Sequence, residues 1–445
     1  NVGSATAATG YNVANSVRFD DGSNCQMRRA GVAGGNQDKF TLSMWIKRAN
    51  IGTDHPRLFT SVASGNDRFE IYFEDTNELH IEGIDNGTAT LNLVTSAKFT
   101  DVSAWYHILL AVDTGQGTEA NRAKLYINGV LETAFGTSTR PDQDGNIGIN
   151  TNSFPIQIGE RSGYGVDFDG YFAEIVFLDG AQSANTDLGE FDEDSGIWKP
   201  IDVDGLSSSK GNNGFYLDFE ASDNLGNDVF GGTDFSEANL AATDQSTDTC
   251  TNNFATLNPL DVSLPSTFVL SEGNLDGLMS GISSNAYARA YSNIQVASGK
   301  WYAECKITEE GDSGIIGVSA RSGISYVDVS GTNYDWLGIN AHDYRYYHDG
   351  TKMNNNSSSS YGTTWDGGDI IGIALDMDNL AVYFSLNGTF QASGDPTSGS
   401  SRTNAAFNLT AVASTPNGAY KFGIGTQGGT DVQGQWNFGS PPYAI

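Results

Sequence analysis

The sequence predicts an all-β protein with two antiparallel jelly-roll or β-sandwich domains joined by a long connector. Short strand-like segments recur along the chain, separated by turns of glycine, asparagine, aspartate and threonine. The 54 glycines and the low content of charged residues (17%) favour short strands and turns over helices. A chain of 445 residues is also too long for one ordinary hydrophobic core, which favours two domains.

The first block of strand signals extends from about residue 15 to residue 180. In FTLSMWIK (40–47), two sets of side chains alternate, namely Phe40, Leu42, Met44 and Ile46 on one face and Thr41, Ser43, Trp45 and Lys47 on the other. Such alternation predicts a strand with one face against a core. Further strand-like segments follow at short spacing: 68–73, 79–84, 105–112, 124–128, 156–159 and 171–178.

The composition changes after residue 180. Residues 188–200 (LGEFDEDSGIWKP) predict a short helix that ends before Pro200, and residues 214–220 (GFYLDFE) predict one more strand. From 221 to 267 the chain is mostly Ser, Thr, Asn, Asp and Gly, which predicts a connector, and its spaced aromatics predict that it packs along the domains. The expected limits are therefore 1–220 for the first sandwich, 221–267 for the connector and 268–445 for the second sandwich.

The second block contains a hairpin signal, IIGIALDMDNLAVYFSLNG (370–388). Its two apolar runs meet at a tight turn over residues 376–379, and Asn387-Gly388 supplies the positive φ angles of the next turn. The first block has a looser version of the same device in KLYINGV (124–130). Both copies are interpreted as framework and not as binding sites.

Composition excludes several classes of partner. The formal net charge is −31 and the pI is about 4.2, so the surface repels nucleic acid and anionic lipid. No run approaches the roughly 20 apolar residues of a membrane span. Cys25, Cys250 and Cys305 are far apart and odd in number, which argues against a disulfide framework and a zinc site. Cys305 is predicted to be a small buried residue.

The two ends of the chain favour a longer native gene product. The sequence starts at Asn1 without methionine or a signal-peptide pattern, and it ends at QWNFGSPPYAI, which still has a strand-like, aromatic character.

The second block resembles a SPRY domain over about residues 268–438. The motifs that carry the resemblance occur in family order: GKWY at 299–302, GV at 317–318, HDG at 348–350, and then Gly372, Leu375, Asp376, Phe384, Asn387 and Gly388. The first block is similar to a laminin-G or concanavalin-A-like jelly roll, on FTLSMWIK, RLF (57–59), WYHILLAV, KLYINGV, IQIGE and FDGYFAEIVFLDG.

The order of the two domains, with Asp244-Gln245, residues 248–253 and Asn258-Pro259 between them, resembles phage tail-fibre or other virion structural proteins. The resemblance implies synthesis in the host cytoplasm, a place on the virion surface, and adhesion to host glycans or proteins. Other virion proteins are the implied partners, and a trimer is the implied oligomer, although no coiled coil specifies one. A purely structural decoration or connector protein, and a polysaccharide-degrading enzyme, are the alternatives.

Catalytic patterns are missing from the sequence, so we expect no enzyme. The acidic clusters EIYFEDTNE (70–78) and DFDGYFAE (167–174) lack the ExDxxE spacing of concanavalin-A-like glycoside hydrolases and are interpreted as surface acids. None of the histidines follows a GxSxG motif, and no phosphate-binding loop is present.

A calcium site is one interpretation of two Asp/Asn/Gly segments that flank IQIGE. PDQDGN offers Asp142, Asp144 and Asn146, and DFDG offers Asp167 and Asp169 as oxygen ligands. Ordinary turns are the other interpretation, and no other cofactor is predicted.

Carbohydrate binding requires exposed aromatic rings beside carboxylates and amides. The candidates are Tyr164 with Asp167 in the first domain, and Tyr334, Trp336, His342, Asp343, Tyr344 and Arg345 in the second. The alternative is that Trp336, Tyr344 and Tyr346 pack as alternating strand residues.

Overall fold

Short antiparallel strands form nearly all of the regular structure, which confirms the predicted fold class. The computed structural model describes residues 10–31, 33–52, 55–150, 154–263, 268–281, 287–321, 337–427 and 430–443. The chain divides into two units, Asn1–Asn253 and Phe254–Ile445. Among the described residues, helical structure is limited to short 3₁₀ segments: Asp21–Ser23, Glu119–Asn121, Asn185–Asp187, Asp204–Ser209, Ala242–Asp244, Gln391–Ser393, Gly399–Ser401 and Val412–Ser414.

The first unit is a sandwich of two antiparallel sheets. In chain order its strands are β1 (Ser16–Phe19), β2 (Gln26–Arg29), β3 (Lys39–Arg48), β4 (Arg57–Ser64), β5 (Asp67–Phe73), β6 (Glu78–Asp85), β7 (Thr88–Lys98), β8 (Trp105–Asp113), β9 (Ala123–Ile127), β10 (Val130–Leu131), β11 (Phe135–Thr139), β12 (Ile156–Ile158), β13 (Gly170–Asp179), β14 (Glu190–Phe191), β15 (Trp198–Lys199), β16 (Phe215–Leu217), β17 (Ser236–Ala238) and β18 (Gln245–Ser246). The back sheet has the order β10-β9-β8-β3-β13-β1-β18, with β16 also paired to β13. The front sheet has the order β11-β7-β6-β5-β4-β12-β2-β17.

The inner faces of the front and back sheets enclose one hydrophobic core. The predicted core face of β3 lies in it, together with Phe69 and Ile71 of β5 and Phe177 of β13. Burial of each such side chain contributes about 1.5–3 kcal/mol to folding. The other face of β3 is buried as well, because side chains from residues 181–253 pack over the back sheet. This segment, which also adds β16 and β18 to the back sheet and β17 to the front sheet, is called the outer layer below.

The outer layer contains most of the segment predicted as a connector. β18 pairs with β1 and β17 pairs with β2, and Phe230 and Phe235 are buried, so residues 221–253 are part of the first unit. Residues 254–263 belong to the second unit, in which the strand Leu257–Ser263 pairs with the strand Tyr287–Ser292. The boundary between the units therefore lies at Asn253–Phe254.

A hairpin replaces the short helix that was predicted over residues 188–200. β14 pairs with β15, and the Asp192 carboxylate accepts hydrogen bonds from the backbone N–H groups of Asp194 and Ser195. Gly196 then adopts a φ of 69°. Side-chain acceptors of this kind compete with helical hydrogen bonds, so the chain turns at this position.

The second unit is also built from two antiparallel sheets. Its strands are β19 (Leu257–Ser263), β20 (Phe268–Ser271), β21 (Asp276–Met279), β22 (Tyr287–Ser292), β23 (Lys300–Glu310), β24 (Gly314–Ser319), β25 (Asp343–Tyr347), β26 (Thr351–Asn354), β27 (Ser357–Ser360), β28 (Ile370–Asp376), β29 (Ala381–Leu386), β30 (Thr389–Phe390), β31 (Phe407–Asn408), β32 (Lys421–Gln427) and β33 (Val432–Asn437). One sheet has the order β19-β22-β32-β24-β25-β26-β27, and the other has the order β20-β21-β33-β23-β28-β29-β30, with β31 paired to β29. Cys305 is fully buried in the core of this unit, as predicted.

The two Asn-Gly turns have the same backbone geometry. Asn387 and Gly388 have φ angles of 48° and 79°, and Asn128 and Gly129 have 47° and 76°. Positive φ at both positions is the geometry that the Asn-Gly pair favours in a tight hairpin, so this prediction is confirmed. Among the residues that the structure describes, no helix is long and apolar enough to cross a membrane.

Candidate binding site

The outer face of the front sheet carries a compact cluster of charged side chains. Strand β5 alternates, so Phe69 and Ile71 face the core and Glu70 faces outward. Glu70 is nevertheless almost fully buried, because guanidinium groups surround its carboxylate. Its Oε1 accepts from Nε of Arg57 at 3.1 Å, and its Oε2 lies 3.0 Å from Nη1 of Arg161.

The cluster is further tied together by Arg68, whose Nε also lies 3.0 Å from Oε2 of Glu70. The same side chain donates from Nη2 to Glu82 at 2.8 Å. Charge-assisted hydrogen bonds that converge on one buried carboxylate hold several side chains in fixed positions. The prediction that the acids of residues 70–78 are surface acids is therefore corrected for Glu70.

The side chain of Tyr164 packs on this cluster and is largely exposed to solvent. The centre of its ring lies 3.8 Å from the Arg161 guanidinium carbon, and 62% of the residue is exposed. Because Glu70 fixes Arg161, one face of the ring rests on a rigid cation while much of the remaining surface is open. A backbone hydrogen bond from Tyr164 N–H to the Arg161 carbonyl closes the turn that carries the ring. An exposed ring held in this way can stack on the flat face of a ligand.

Two carboxyl groups bound the loop that carries Tyr164. Burial raises the pKa of Glu160, and the neighbouring Asp167 carboxylate raises it further, whereas Arg28 opposes the shift. Burial also raises the pKa of Asp167, with a contribution from Asp21. Within the described part of the chain, Oε2 of Glu160 and Oδ1 of Asp167 are buried without a hydrogen-bond partner. The structure thus places Asp167, a predicted ligand-binding residue, in the loop of Tyr164.

The predicted calcium ligands lie in separate loops. Asp144 N–H donates to the carbonyl of Thr114, and Asp142 accepts from Gly145 within the same turn, which also contains Asn146. The carbonyl of Asp169 instead accepts from Ala49. No three of the predicted aspartates lie close enough to share one ion in the described residues.

Two other groups of side chains in the described residues have the spacing of metal ligands: His55, Glu74 and Asp75, and Glu310, Asp312 and His348. In the first group Glu74 already contacts His55 at 3.0 Å and His80 at 2.6 Å. In the second group the Glu310 carboxylate accepts hydrogen bonds from the backbone of Ser313 and Gly314. Both carboxylates therefore have structural partners.

The predicted site in the second unit has a different character. Tyr334 and Trp336 lie outside the described residues. Asp343 is fully buried between Ser319 and Arg321, at 2.6 Å and 3.1 Å.

Tyr344 and Arg345 continue this buried strand. Tyr344 packs in the core, with its ring 5.3 Å from that of Phe407, and Arg345 is buried against Tyr347. His342 is partly buried. Tyr344 therefore does not offer its ring to a sugar, and the alternative of alternating strand packing describes this segment.

The site residues that sequence reasoning missed are Arg161 and Glu70. Arg161 lies one turn before Tyr164, which is a local signal that could have been found. Glu70 lies 91 residues away from Arg161, so only the fold brings the two together.

Comparisons with known families give one match within each of the two units. Residues 20–186 match the family model of the concanavalin A-like lectin/glucanases superfamily, Laminin_G_3, and residues 300–425 match the SPRY domain model. The chain thus contains a concanavalin-A-like domain followed by a SPRY domain, and this domain content supports a binding role. Residues 187–253, most of the outer layer, lie beyond the first matched range.

Similar solved structures include two SPRY domains and a pentraxin. The SPRY domain of human HERC1 has 14% identity and a TM-score of 0.31, covering 41% of this chain and 98% of that chain. Another human SPRY domain has 14% identity and a TM-score of 0.27, with 39% and 96% covered. A heptameric SAP-like pentraxin from Limulus polyphemus has 14% identity and a TM-score of 0.30, with 40% and 82% covered. Similarity at this level does not identify a ligand.

Proposed function

We propose that this chain is a non-enzymatic phage virion protein that binds host glycans through the Tyr164 face of its first unit. The observation that carries the proposal is the exposed Tyr164 ring stacked on Arg161, which Glu70 fixes from below. A rigid aromatic platform binds a sugar ring with little loss of side-chain entropy. Asp167, which is partly exposed at the end of the same loop, offers a carboxyl group to sugar hydroxyls.

The place of the protein on a virion surface rests on a resemblance in sequence. The order of a laminin-G-like domain, the segment around Asp248–Asn253 and a SPRY domain is similar to that of phage structural proteins. Within a virion the partners are other virion proteins and a surface glycan or protein of the host, and a trimer is the proposed oligomer. Cryo-EM of the assembled particle tests this part, because it locates the chain directly.

Glycan binding by the full chain should depend on the aromatic ring of Tyr164. On a glycan array, the Tyr164→Ala variant should bind its best ligand about 5- to 10-fold more weakly, since one stacking contact contributes on the order of 1 kcal/mol. Phe191→Ala is the matched control, because Phe191 is a half-exposed aromatic residue on the opposite, back-sheet side of the same unit. Equal losses in both variants, or no loss in Tyr164→Ala, would contradict the proposed face.

The two alternatives predict different results in the same assays. A purely structural protein would be found in the particle and would bind no glycan. A polysaccharide-degrading enzyme would release reducing ends from a bound polysaccharide, and Glu160→Gln would abolish that release. We expect binding without release.

A further inference from the structure

The β14–β15 hairpin exposes two large apolar side chains on the back-sheet side of the first unit. Phe191 is 49% exposed and Ile197 is 50% exposed. Phe191 packs on its cross-strand partner Trp198, which is buried, with the two ring centres 4.9 Å apart. Large apolar side chains exposed on one short hairpin are candidates for an interaction site. Phe191 and Ile197, with the cavity beside them, are called the hairpin surface below.

Trp198 anchors the hairpin to the back sheet. Its Nε1 donates to Nδ1 of His107 at 2.9 Å, and burial lowers the pKa of His107 to about 3, so this ring is neutral. The other ring nitrogen then carries the proton and donates to Ser43 Oγ at 2.7 Å. A Cβ atom at Gly129 would lie 2.1 Å from the Trp198 ring, and one at Gly189 would lie 2.4 Å from it. The hairpin is therefore held in place, and its exposed apolar residues do not result from a loose end.

A cavity of about 280 Å³ opens beside the hairpin. Ile197 and Trp198 form part of its wall, together with Tyr11, Val13 and Cys250. The Tyr11 hydroxyl is fixed by Glu174 at 3.2 Å and Tyr216 at 3.0 Å, so this wall is rigid too. Polar residues, among them Asp192 and Lys199, complete the wall. A preformed cavity of this size with an apolar side accepts one large apolar side chain of a partner, and such buried anchors carry most of the energy of an interface.

The hairpin also carries a strong negative charge. It contains Glu190, Asp192, Glu193 and Asp194 against one cation, Lys199, so its formal charge is −3. Lys199 contacts Glu190 at 3.3 Å and Asp192 at 3.1 Å, and Glu193 and Asp194 are exposed. A second copy of this chain, at a net charge of −31, and an anionic membrane are both repelled by such a rim. A cationic segment is attracted.

We propose that the hairpin surface is a docking site for a protein segment with one large apolar side chain flanked by lysine or arginine. The apolar side chain occupies the cavity against Ile197 and Trp198, and the basic residues lie beside Glu193 and Asp194. This partner site is separate from the Tyr164 face, because the two lie on opposite outer faces of the sandwich. The proposal does not depend on glycan binding.

The test uses the full chain and the capped peptide KKGWGKK, with KKGAGKK and EEGWGEE as matched peptides, in isothermal titration calorimetry. We expect KKGWGKK to bind, and both matched peptides to bind at least about tenfold more weakly, because one lacks the anchor and the other lacks the charge. Raising the salt concentration should weaken binding of KKGWGKK. The Phe191→Ala/Ile197→Ala double variant should lose about tenfold or more in affinity, whereas Tyr164→Ala should bind as the parent does.

Several results would overturn the proposal. The first is the absence of saturable binding below about 1 mM peptide, and the second is equal binding of KKGWGKK and EEGWGEE. Peptide binding that the double variant retains would place the site elsewhere. Self-association of the chain alone that the double variant abolishes would assign the surface to a second copy. Because both substituted side chains are half exposed, the double variant should keep its fold, and its circular dichroism spectrum checks this.

Discussion

Replacement of Asp248 by alanine is expected to lower the free energy of unfolding of the first unit by about 3–5 kcal/mol. Asp248 comes from the outer layer, and its Oδ2 lies 2.7 Å from Nζ of Lys47 on β3. The side chain of Asp248 is 3% exposed and that of Lys47 is 1% exposed. Its Oδ1 accepts from Nε1 of Trp105 at 3.1 Å. The substitution removes the carboxylate that neutralises a buried ammonium group, which is more costly than losing a surface ion pair.

Chemical denaturation measures the loss, and hydrogen exchange of β3 and β8 assigns it to the first unit. The double variant Lys47→Met/Asp248→Leu should recover part of the stability, because two apolar side chains replace the buried ion pair while Trp105 Nε1 and Asn253 Oδ1 lose a partner. Lys98→Ala, which removes a half-exposed partner of Glu78, should cost roughly less than 1 kcal/mol. Unchanged exchange in β3 after Asp248→Ala would contradict a structural role for the outer layer.

The hairpins could be predicted from sequence because their signals are local. Asn128-Gly129 and Asn387-Gly388 adopt positive φ at adjacent positions, and few other residue pairs do so readily. The alternation in β3 is equally local, and its predicted core face lies in the core. Nothing outside a window of a few residues is needed for either inference.

The burial of the other face of β3 could not be predicted in this way. Trp45 and Lys47 alternate with the core residues, just as residues on a solvent-facing side do. They are buried because the outer layer returns to cover them, and Asp248 is 201 residues from Lys47. Residues 221–253 have the polar composition of a connector, but part of this segment pairs with distant strands, as β17 does with β2, and Asp248 binds Lys47. Composition reports the polarity of a segment and does not report its partners.

Only part of the candidate site could be predicted from sequence, because some of its side chains are brought together by strands that are distant in the chain. Tyr164 and Asp167 follow from residue type, since an aromatic residue among glycines and acids is typical of an exposed loop. Glu70 and Glu174 were expected on the surface as members of acidic runs, and both are buried. A carboxylate is buried where the fold supplies donors from distant strands, and single-strand periodicity carries no information about them.

Glu174 is the buried acid with the clearest consequence. It lies at an irregularity in the pairing of β13 with β3, with a φ of 50°. Burial raises its pKa to about 8, and hydrogen bonds from the hydroxyls of Tyr216 (2.8 Å) and Tyr11 (3.2 Å) partly oppose the shift. Asp218 and Glu220 raise the pKa further. At neutral pH the folded chain therefore holds a proton that the unfolded chain releases.

The stability of the first unit should consequently fall as pH rises from about 4.5, the ordinary value for glutamate, to about 8. In this window the folded state binds one proton more at Glu174, so the free energy of unfolding decreases by about 1.4 kcal/mol per pH unit from this group. The contribution is fully present below the window and is lost above it. Glu174→Gln stays neutral, so the stability difference between variant and parent should grow with pH and level off above 8. Tyr216→Phe removes a hydrogen bond that lowers this pKa, and it should extend the window upward. Denaturation at pH 5, 7 and 9 measures both, and a difference for Glu174→Gln that does not change with pH would refute the assignment.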